Sequence, residues 1–184
     1  MRIIFVSLVF LLNSVLFSAD TETIERELED GTVEKGSAYK DDKGNLIANG
    51  HWVATYPNGQ KAYEGDYKDG KLEGKWVFWY KNGIKSGEMN YKNNEADGKF
   101  LTWHPNGQKE AEGKLENGKR GGIWKYWYDN GQPKTIGKFE NGNKEGEWTN
   151  FYKSGKKKSV ITYKDGKKIK DSLKNWDESG NLIE

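Results

Sequence analysis

Residue types that commonly carry catalysis or bind metals are sparse in this sequence. There are two histidines, His51 and His104, and no cysteine. His104 stands where an equivalent stretch has Tyr80, so we interpret it as a structural substitution. Acidic residues are numerous, but nothing singles out a pair at glycosidase spacing, and Gly121-Gly122 lacks the following helix of a phosphate loop. We therefore expect a non-enzyme without catalytic residues, cofactor or metal.

The chemistry that the sequence does offer is aromatic. It contains 8 Trp and 10 Tyr, and one set of large rings recurs at a regular interval. We name these residues the aromatic ladder: Trp79, Trp103, Trp127, Phe151 and, in a partial unit, Trp176. A row of rings is suited to an extended glycan or peptide. The alternative is that neighbouring Lys and Glu side chains cover the rings and that their role is structural.

A second candidate surface is basic. Residues 150–174 contain nine Lys against two Asp, whereas residues 20–49 contain nine acids against four bases. We name as the basic end Lys156, Lys157, Lys158, Lys167 and Lys168. This polarity predicts solvated ends, contact with an anionic surface such as a membrane, or head-to-tail association. The overall charge of +2 argues against nucleic acid.

These residues belong to a repeat of 24 residues. One glycine column is followed two positions later by a large aromatic and nine positions later by a second glycine. The first glycines are Gly50, Gly74, Gly98, Gly122 and Gly146, and the aromatics are Trp52, Trp76, Phe100, Trp124 and Trp148. We assign full units to 50–73, 74–97, 98–121, 122–145 and 146–170, with partial caps at 36–49 and 171–182. A repeat array from 36 to 182 follows.

Each unit carries two turn signals separated by short runs rich in aromatic and β-branched residues. Asn-Gly and Asp-Gly between such runs are typical of β-hairpins with type I′ turns. We therefore predict an all-β fold, an elongated antiparallel β-meander of repeated hairpins with roughly 10 to 12 strands. Only Thr21 to Leu28 hints at helical periodicity.

A two-residue turn at Asn82-Gly83 would set the pairing of the flanking strands. It places Trp79 opposite Ser86, Phe78 opposite Gly87 and Trp76 opposite Met89. Alternation then puts Trp76, Phe78 and Tyr80 on one packed face and Trp79 on the other. Glycines facing the first aromatic of several units leave room for a ring to lie across the strand.

The first residues form a separate segment. Met1-Arg2 precedes an apolar run from Ile3 to Leu12, and small residues follow at Ser18-Ala19. We interpret residues 1–19 as a secretory signal peptide and residues 20–35 as an acidic N-terminal segment. This predicts an exported bacterial protein, periplasmic or associated with the cell surface.

The stretches GKWVFWYKNG (74–83), GIWKYWYDNG (122–131) and YEGDYKDGKLEGKW (63–76) resemble the MORN repeat superfamily, in particular its bacterial variant. They are similar to proteins labelled YwqK-type antitoxins. The resemblance covers residues 36–182 and implies a sheet of hairpins used as a scaffold or binding surface, without catalysis by the repeats. Cell-wall-binding repeats that hold amines between rings offer a weaker analogy for the aromatic ladder.

From these patterns we expect an exported, non-catalytic scaffold that binds a protein partner. The first alternative is a module that uses the aromatic ladder to bind a glycan or cell-wall polymer. The second is an antitoxin or immunity protein against a secreted toxin.

Overall fold

The computed structural model describes residues 21–183, so the predicted signal peptide lies outside the described part of the chain. The fold is all-β, as predicted. Its strands are β1 (Glu22–Glu27), β2 (Val33–Lys40), β3 (Leu46–Thr55), β4 (Lys61–Lys68), β5 (Lys71–Trp79), β6 (Lys85–Lys92), β7 (Glu95–Trp103), β8 (Lys109–Glu116), β9 (Lys119–Trp127), β10 (Pro133–Glu140), β11 (Asn143–Phe151), β12 (Lys157–Lys164), β13 (Lys167–Lys168) and β14 (Lys174–Asn175).

All strands belong to one antiparallel sheet. They follow one another in chain order from β1 to β13, and the short β14 also pairs with β12. Substantial contacts between strands join only hydrogen-bonded neighbours. The array is therefore an elongated open meander, in which each hairpin is stabilised by the hairpins beside it. Within residues 21–183, no helix is long and apolar enough to cross a membrane.

The sheet begins earlier than the first predicted partial unit. The one window with a hint of helical periodicity, Thr21 to Leu28, is not helical, because Glu22–Glu27 forms β1 and pairs residue by residue with β2. Ile24 and its β-branched neighbour Thr23 suit a strand. Pairing with β2 therefore outweighs the weak local signal. The additional strands β1, β13 and β14 raise the total to 14.

Two kinds of turn alternate along the sheet and lie at opposite ends of its strands. The turns of the first kind, such as Asp69-Gly70 between β4 and β5, are tight. Asp69 and Gly70 have φ angles of 50° and 75°, and Lys68 pairs with Lys71 across them. Two positive φ angles in a two-residue loop are those of the predicted type I′ turn.

The other turn is longer than predicted. Gly83 N–H donates to the Tyr80 carbonyl and Tyr80 N–H donates to the Ile84 carbonyl, at 2.9 and 2.8 Å. Only Gly83 has positive φ, at 81°, which gives a three-residue loop rather than the expected two-residue turn. The Asn82 side chain explains the choice, because its carbonyl accepts from Ile84 N–H and its amide donates to the Pro105 carbonyl in the next unit.

A bulge compensates for the longer loop. Trp79 pairs with Lys85, so the predicted pairing with Ser86 is wrong. The register then shifts by one residue at Ser86, and Phe78 faces Gly87 and Trp76 faces Met89, as predicted. Because the extra loop residue and the bulge cancel, the predicted division of β5 between two faces holds.

The packed side of the sheet, which we name the tryptophan face, is built from rings lying on glycines. A Cβ added to Gly113 would lie 2.3 Å from the Trp124 ring, and one added to Gly137 would lie 2.2 Å from the Trp148 ring. The prediction that glycine makes room for a ring is confirmed. The ring, however, comes from the following unit, whereas the expected partner was the aromatic within the same hairpin.

Each flat tryptophan is also held by a hydrogen bond. Trp124 Nε1 donates to the Lys114 carbonyl at 3.2 Å, and Trp148 Nε1 donates to the Lys138 carbonyl at 3.1 Å. The strand register shifts beside these glycines, so the carbonyls of Lys114 and Lys138 accept from the indoles. Trp124, Phe139 and Trp148 are buried and form the central cluster of the face.

Candidate functional site

The aromatic ladder lies on the side opposite the tryptophan face, which we name the ladder face. Its rings are half-buried, and four of the five are covered by a lysine from the preceding unit. The ammonium nitrogens of Lys61, Lys85, Lys109 and Lys157 lie 4.9, 5.3, 5.2 and 5.1 Å from the centroids of Trp79, Trp103, Trp127 and Trp176, respectively. The covered arrangement, one of the two anticipated, is therefore the one observed for these four rings.

Glutamates hold three of these lysines in place. Lys61 pairs with Glu64 at 2.6 Å, Lys85 with Glu88 at 3.2 Å and Lys109 with Glu112 at 2.8 Å. Hydrogen bonds from Lys109 keep the pKa of Glu112 below its ordinary value. Ring, ammonium and carboxylate form a repeated triplet that neutralises its own charge.

Phe151 departs from this pattern. Pro133 occupies the place of the covering lysine, since it pairs with Trp127 as Lys109 pairs with Trp103. Ile136 and Val160 replace the glutamates of the earlier units. The triplet is thus complete over the first three rings and lost at the fourth.

A hydroxyl column ties successive units together beside the ladder. The Tyr80 hydroxyl donates to the Trp103 carbonyl at 2.7 Å, and the Tyr128 hydroxyl donates to the Phe151 carbonyl at 2.8 Å. His104 occupies the same column, with its Nε2 3.0 Å from the Trp127 carbonyl. Because a carbonyl oxygen only accepts, Nε2 carries the proton in this contact. The structural interpretation of His104 accounts for its position.

The basic end is divided by the topology. Lys156, Lys157 and Lys158 lie at the start of β12, beside a three-residue loop, whereas Lys167 and Lys168 follow the tight turn at its far end. A strand of 8 residues separates the two groups, which is about 26 Å. Lys156 approaches the Ser179 carbonyl at 3.4 Å. The lysines that lie close together in sequence therefore form two separate groups at opposite ends of the strands.

A further basic surface lies on the tryptophan face and was missed at the level of sequence. Two adjoining hollows of about 250 and 320 Å³ share Lys134 and Thr135. We name them together the basic groove; the residues that line it are Arg120, Tyr126, Tyr128, Lys134, Thr135, Phe139, Lys144, Trp148, Asn150, Phe151, Lys158 and Ser159. Its basic residues are Arg120, Lys134, Lys144 and Lys158, and the set includes no Asp or Glu.

A signal for the groove does exist in the sequence. Comparing equivalent positions shows Leu72 and Ala96 giving way to Arg120, Lys144 and Lys168. In another column, Ala62, Ser86 and Glu110 give way to Lys134 and Lys158. Only the fold shows that both columns line one groove, Arg120 and Lys144 near the tight-turn ends of the strands and Lys134 and Lys158 near the loop ends. A bulge residue such as Lys134 cannot be assigned to a face by alternation.

Among residues 21–183, no group of three or more His, Cys, Asp or Glu side chains is arranged to hold a metal ion.

Comparison with known proteins identifies the repeat. A family profile described as MORN repeat variant matches residues 48–69, 72–93, 96–119, 120–141 and 144–165. The matched stretches begin 24 residues apart and coincide with the hairpins of the sheet. A search of curated proteins found no match.

Proposed function

Since the chain belongs to the MORN repeat variant family, whose repeats suggest a binding scaffold, we propose that it is an exported, non-catalytic protein that binds a protein partner. The observation that carries this proposal is that the packing residues repeat from unit to unit while the surface residues between them differ. Each unit repeats the residues that hold it to its neighbours, while the side chains between them change from unit to unit.

The shape of the sheet supports a protein ligand. A single open meander has two faces and two rows of turns that extend over all units. An extended surface of this kind suits a large partner, because binding residues can be spread over several rigid hairpins. Charged rims on an aromatic base are also typical of protein–protein interfaces.

The test is capture of a partner from envelope and culture-supernatant fractions by the tagged protein after crosslinking. We expect one protein to be retained that then binds the purified scaffold directly in calorimetry, with tag alone as the control. Retention of polysaccharide only would contradict the proposal. A partner that is a secreted toxin would assign the immunity role instead.

Export is tested separately by joining residues 1–25 to alkaline phosphatase lacking its own signal. We expect phosphatase activity, which requires the oxidising periplasm. A fusion that stays inactive and is recovered from the cytoplasm would contradict export.

The second candidate function is binding of a glycan or cell-wall polymer by the aromatic ladder. It is favoured by the regular spacing of the rings, about 9.6 Å for equivalent strands two apart. Substituting Trp79, Trp103 and Trp127 with Ala should abolish binding to cell-wall preparations in a protein that still melts cooperatively. As the matched test, replacing Lys61, Lys85 and Lys109 with Ala uncovers the same rings and should increase binding. Unchanged binding in both variants would exclude this function.

A further inference from the structure

The basic groove runs across the tryptophan face from β9 to β12. Its two hollows meet at Lys134 and Thr135 and contain both aromatic side chains and cations. Arg120 and Lys144 line one part, and Lys158 lines the other. Arg120 and Lys144 lie near the tight-turn ends of the strands, and Lys134 and Lys158 lie near the ends with the three-residue loops. The groove therefore contains two columns of cations, each of which crosses neighbouring units.

The cations of the groove are held by rings and not by acids. The guanidinium carbon of Arg120 lies 4.9 Å from the Trp124 centroid, and Lys144 Nζ lies 4.2 Å from the Trp148 centroid. Lys134 and Lys158 lie 5.7 and 5.4 Å from the rings of Tyr128 and Tyr152. In the described part of the chain none of these four cations forms an ion pair. The rings position the charges without neutralising them.

The fold does not require these charges. Equivalent positions in earlier units carry Leu72 and Ala96 in one column and Ala62, Ser86 and Glu110 in the other. Those units form the same strand pairing and the same bulge. By contrast, the lysines of the ladder face are paired with glutamates throughout their first three units. These four positive charges are therefore a feature of the C-terminal units and not a requirement of the repeat.

We propose that the basic groove binds an extended acidic peptide segment of a protein partner. This proposal rests on the proposed function and specifies the segment that the scaffold recognises. Unpaired cations above aromatic rings suit a ligand that supplies carboxylates and apolar groups together. A peptide does so, and the rings of Tyr126 and Tyr128 are suited to proline in an extended chain.

The spacing of the cations also indicates the conformation of the peptide and the spacing of its acidic residues. Arg120 and Lys144 are equivalent residues of successive units, as are Lys134 and Lys158, so each pair recurs every two strands, or about 9.6 Å. A polyproline II helix has three residues per turn and rises about 3.1 Å per residue, so every third residue returns to one side after about 9.3 Å. Acids at every third position would meet the successive cations of one column.

The experiment measures binding of a fluorescent peptide of repeated Glu-Pro-Pro triplets to the purified protein by anisotropy. The test variant carries Arg120→Ala, Lys134→Ser, Lys144→Ala and Lys158→Ser, which restores residues found at equivalent positions of earlier units. We expect this variant to bind at least tenfold more weakly with its melting temperature little changed. The control variant removes the same charge from exposed lysines elsewhere, Lys43, Lys68, Lys71 and Lys92, each changed to Ala, and should bind within about twofold of the wild type.

Three outcomes would overturn the proposal. They are equal weakening in the control variant, equal binding of a peptide with the same composition but all glutamates contiguous, and binding of vesicles containing phosphatidylserine in place of the peptide. Absence of peptide binding, with a partner still captured and bound directly, would refute the groove assignment while leaving the scaffold function intact. Absence of both would refute the proposed function as well.

Discussion

At the scale of single residues, a glycine and the tryptophan that lies on it are the basic unit of packing. Three of the glycines that carry a ring in this way are Gly65, Gly113 and Gly137. Phe100 is the one phenylalanine in this column of the full units, and it faces Met89 of the preceding unit, where the tryptophans have glycine. A large tryptophan ring on glycine and a smaller phenylalanine ring facing methionine are two ways of filling the same volume.

The first prediction therefore concerns Gly113→Ala. The added Cβ would lie 2.3 Å from the rigid Trp124 ring, so we expect the free energy of unfolding to fall by about 2–3 kcal/mol. Gly87→Ala is the matched control, because its Cβ would lie at an ordinary 3.5 Å from Phe78 and should change stability by less than about 1 kcal/mol. Urea denaturation followed by tryptophan fluorescence measures both.

A double substitution tests whether the volume argument is right. Trp124→Phe with Gly113→Met copies the Phe100 and Met89 pair, and we expect it to be more stable than Gly113→Ala with Trp124 retained. If the double variant is the less stable of the two, the complementarity of ring and facing residue is not what limits stability.

At the scale of the hairpin, ion pairs organise the ladder face. Glu88 accepts from Lys75 at 3.1 Å and from Lys85 at 3.2 Å, and its side chain is 16% exposed. Burial raises its pKa, but the hydrogen bonds from Lys75 and Lys85 outweigh burial and bring the pKa below its ordinary value. A depressed folded-state pKa means that Glu88 stabilises the fold above its unfolded pKa and loses that contribution as the pH falls.

The second prediction follows from the lowered pKa of Glu88. At pH 7 Glu88→Gln should lower the free energy of unfolding by about 1–2 kcal/mol. The difference from wild type should shrink as the pH falls below about 4.3, the ordinary value for glutamate. Glu116→Gln, which breaks an exposed pair with Lys114, is the control and should cost less than about 0.5 kcal/mol. A Glu88→Gln deficit that stays constant down to pH 3 would contradict the argument.

At the scale of the whole molecule, stability is the sum of contacts between neighbouring hairpins. Substantial contacts join only adjacent strands, and the Tyr, Asn and Trp side chains donate hydrogen bonds to backbone carbonyls of a neighbouring unit. Such an array tolerates loss of a complete unit better than loss of part of one, because the columns then remain in register.

The third prediction is that deleting residues 122–145 leaves a cooperative, folded protein of lower melting temperature. Trp148 would then lie on Gly113 in place of Gly137. Deleting 98–121 should be more destabilising, since it would place Trp124 against Met89. Circular dichroism melts of both deletions, at equal chain length, test this. Equal melting temperatures would show that units are interchangeable regardless of the ring and its facing residue.

The sequence by itself determined the period, the all-β class, the alternation of faces and the glycines that admit a ring. These are local properties, because strand alternation and turn preference depend on residues a few positions apart. It also favoured the structural interpretation of His104, whose column is visible in the repeat.

Only the tertiary structure decided how the strands meet. The loop at Lys81–Gly83 and the bulge at Ser86 cancel each other, and neither is fixed by the residues it contains without the partner strand. The same register places the Trp124 ring on the Gly113 of the preceding unit, divides the basic end between opposite ends of the strands, and brings Arg120 and Lys144 into one groove with Lys134 and Lys158. Pairing depends on hydrogen bonds between segments distant in the chain, and a shift of one residue exchanges the two faces.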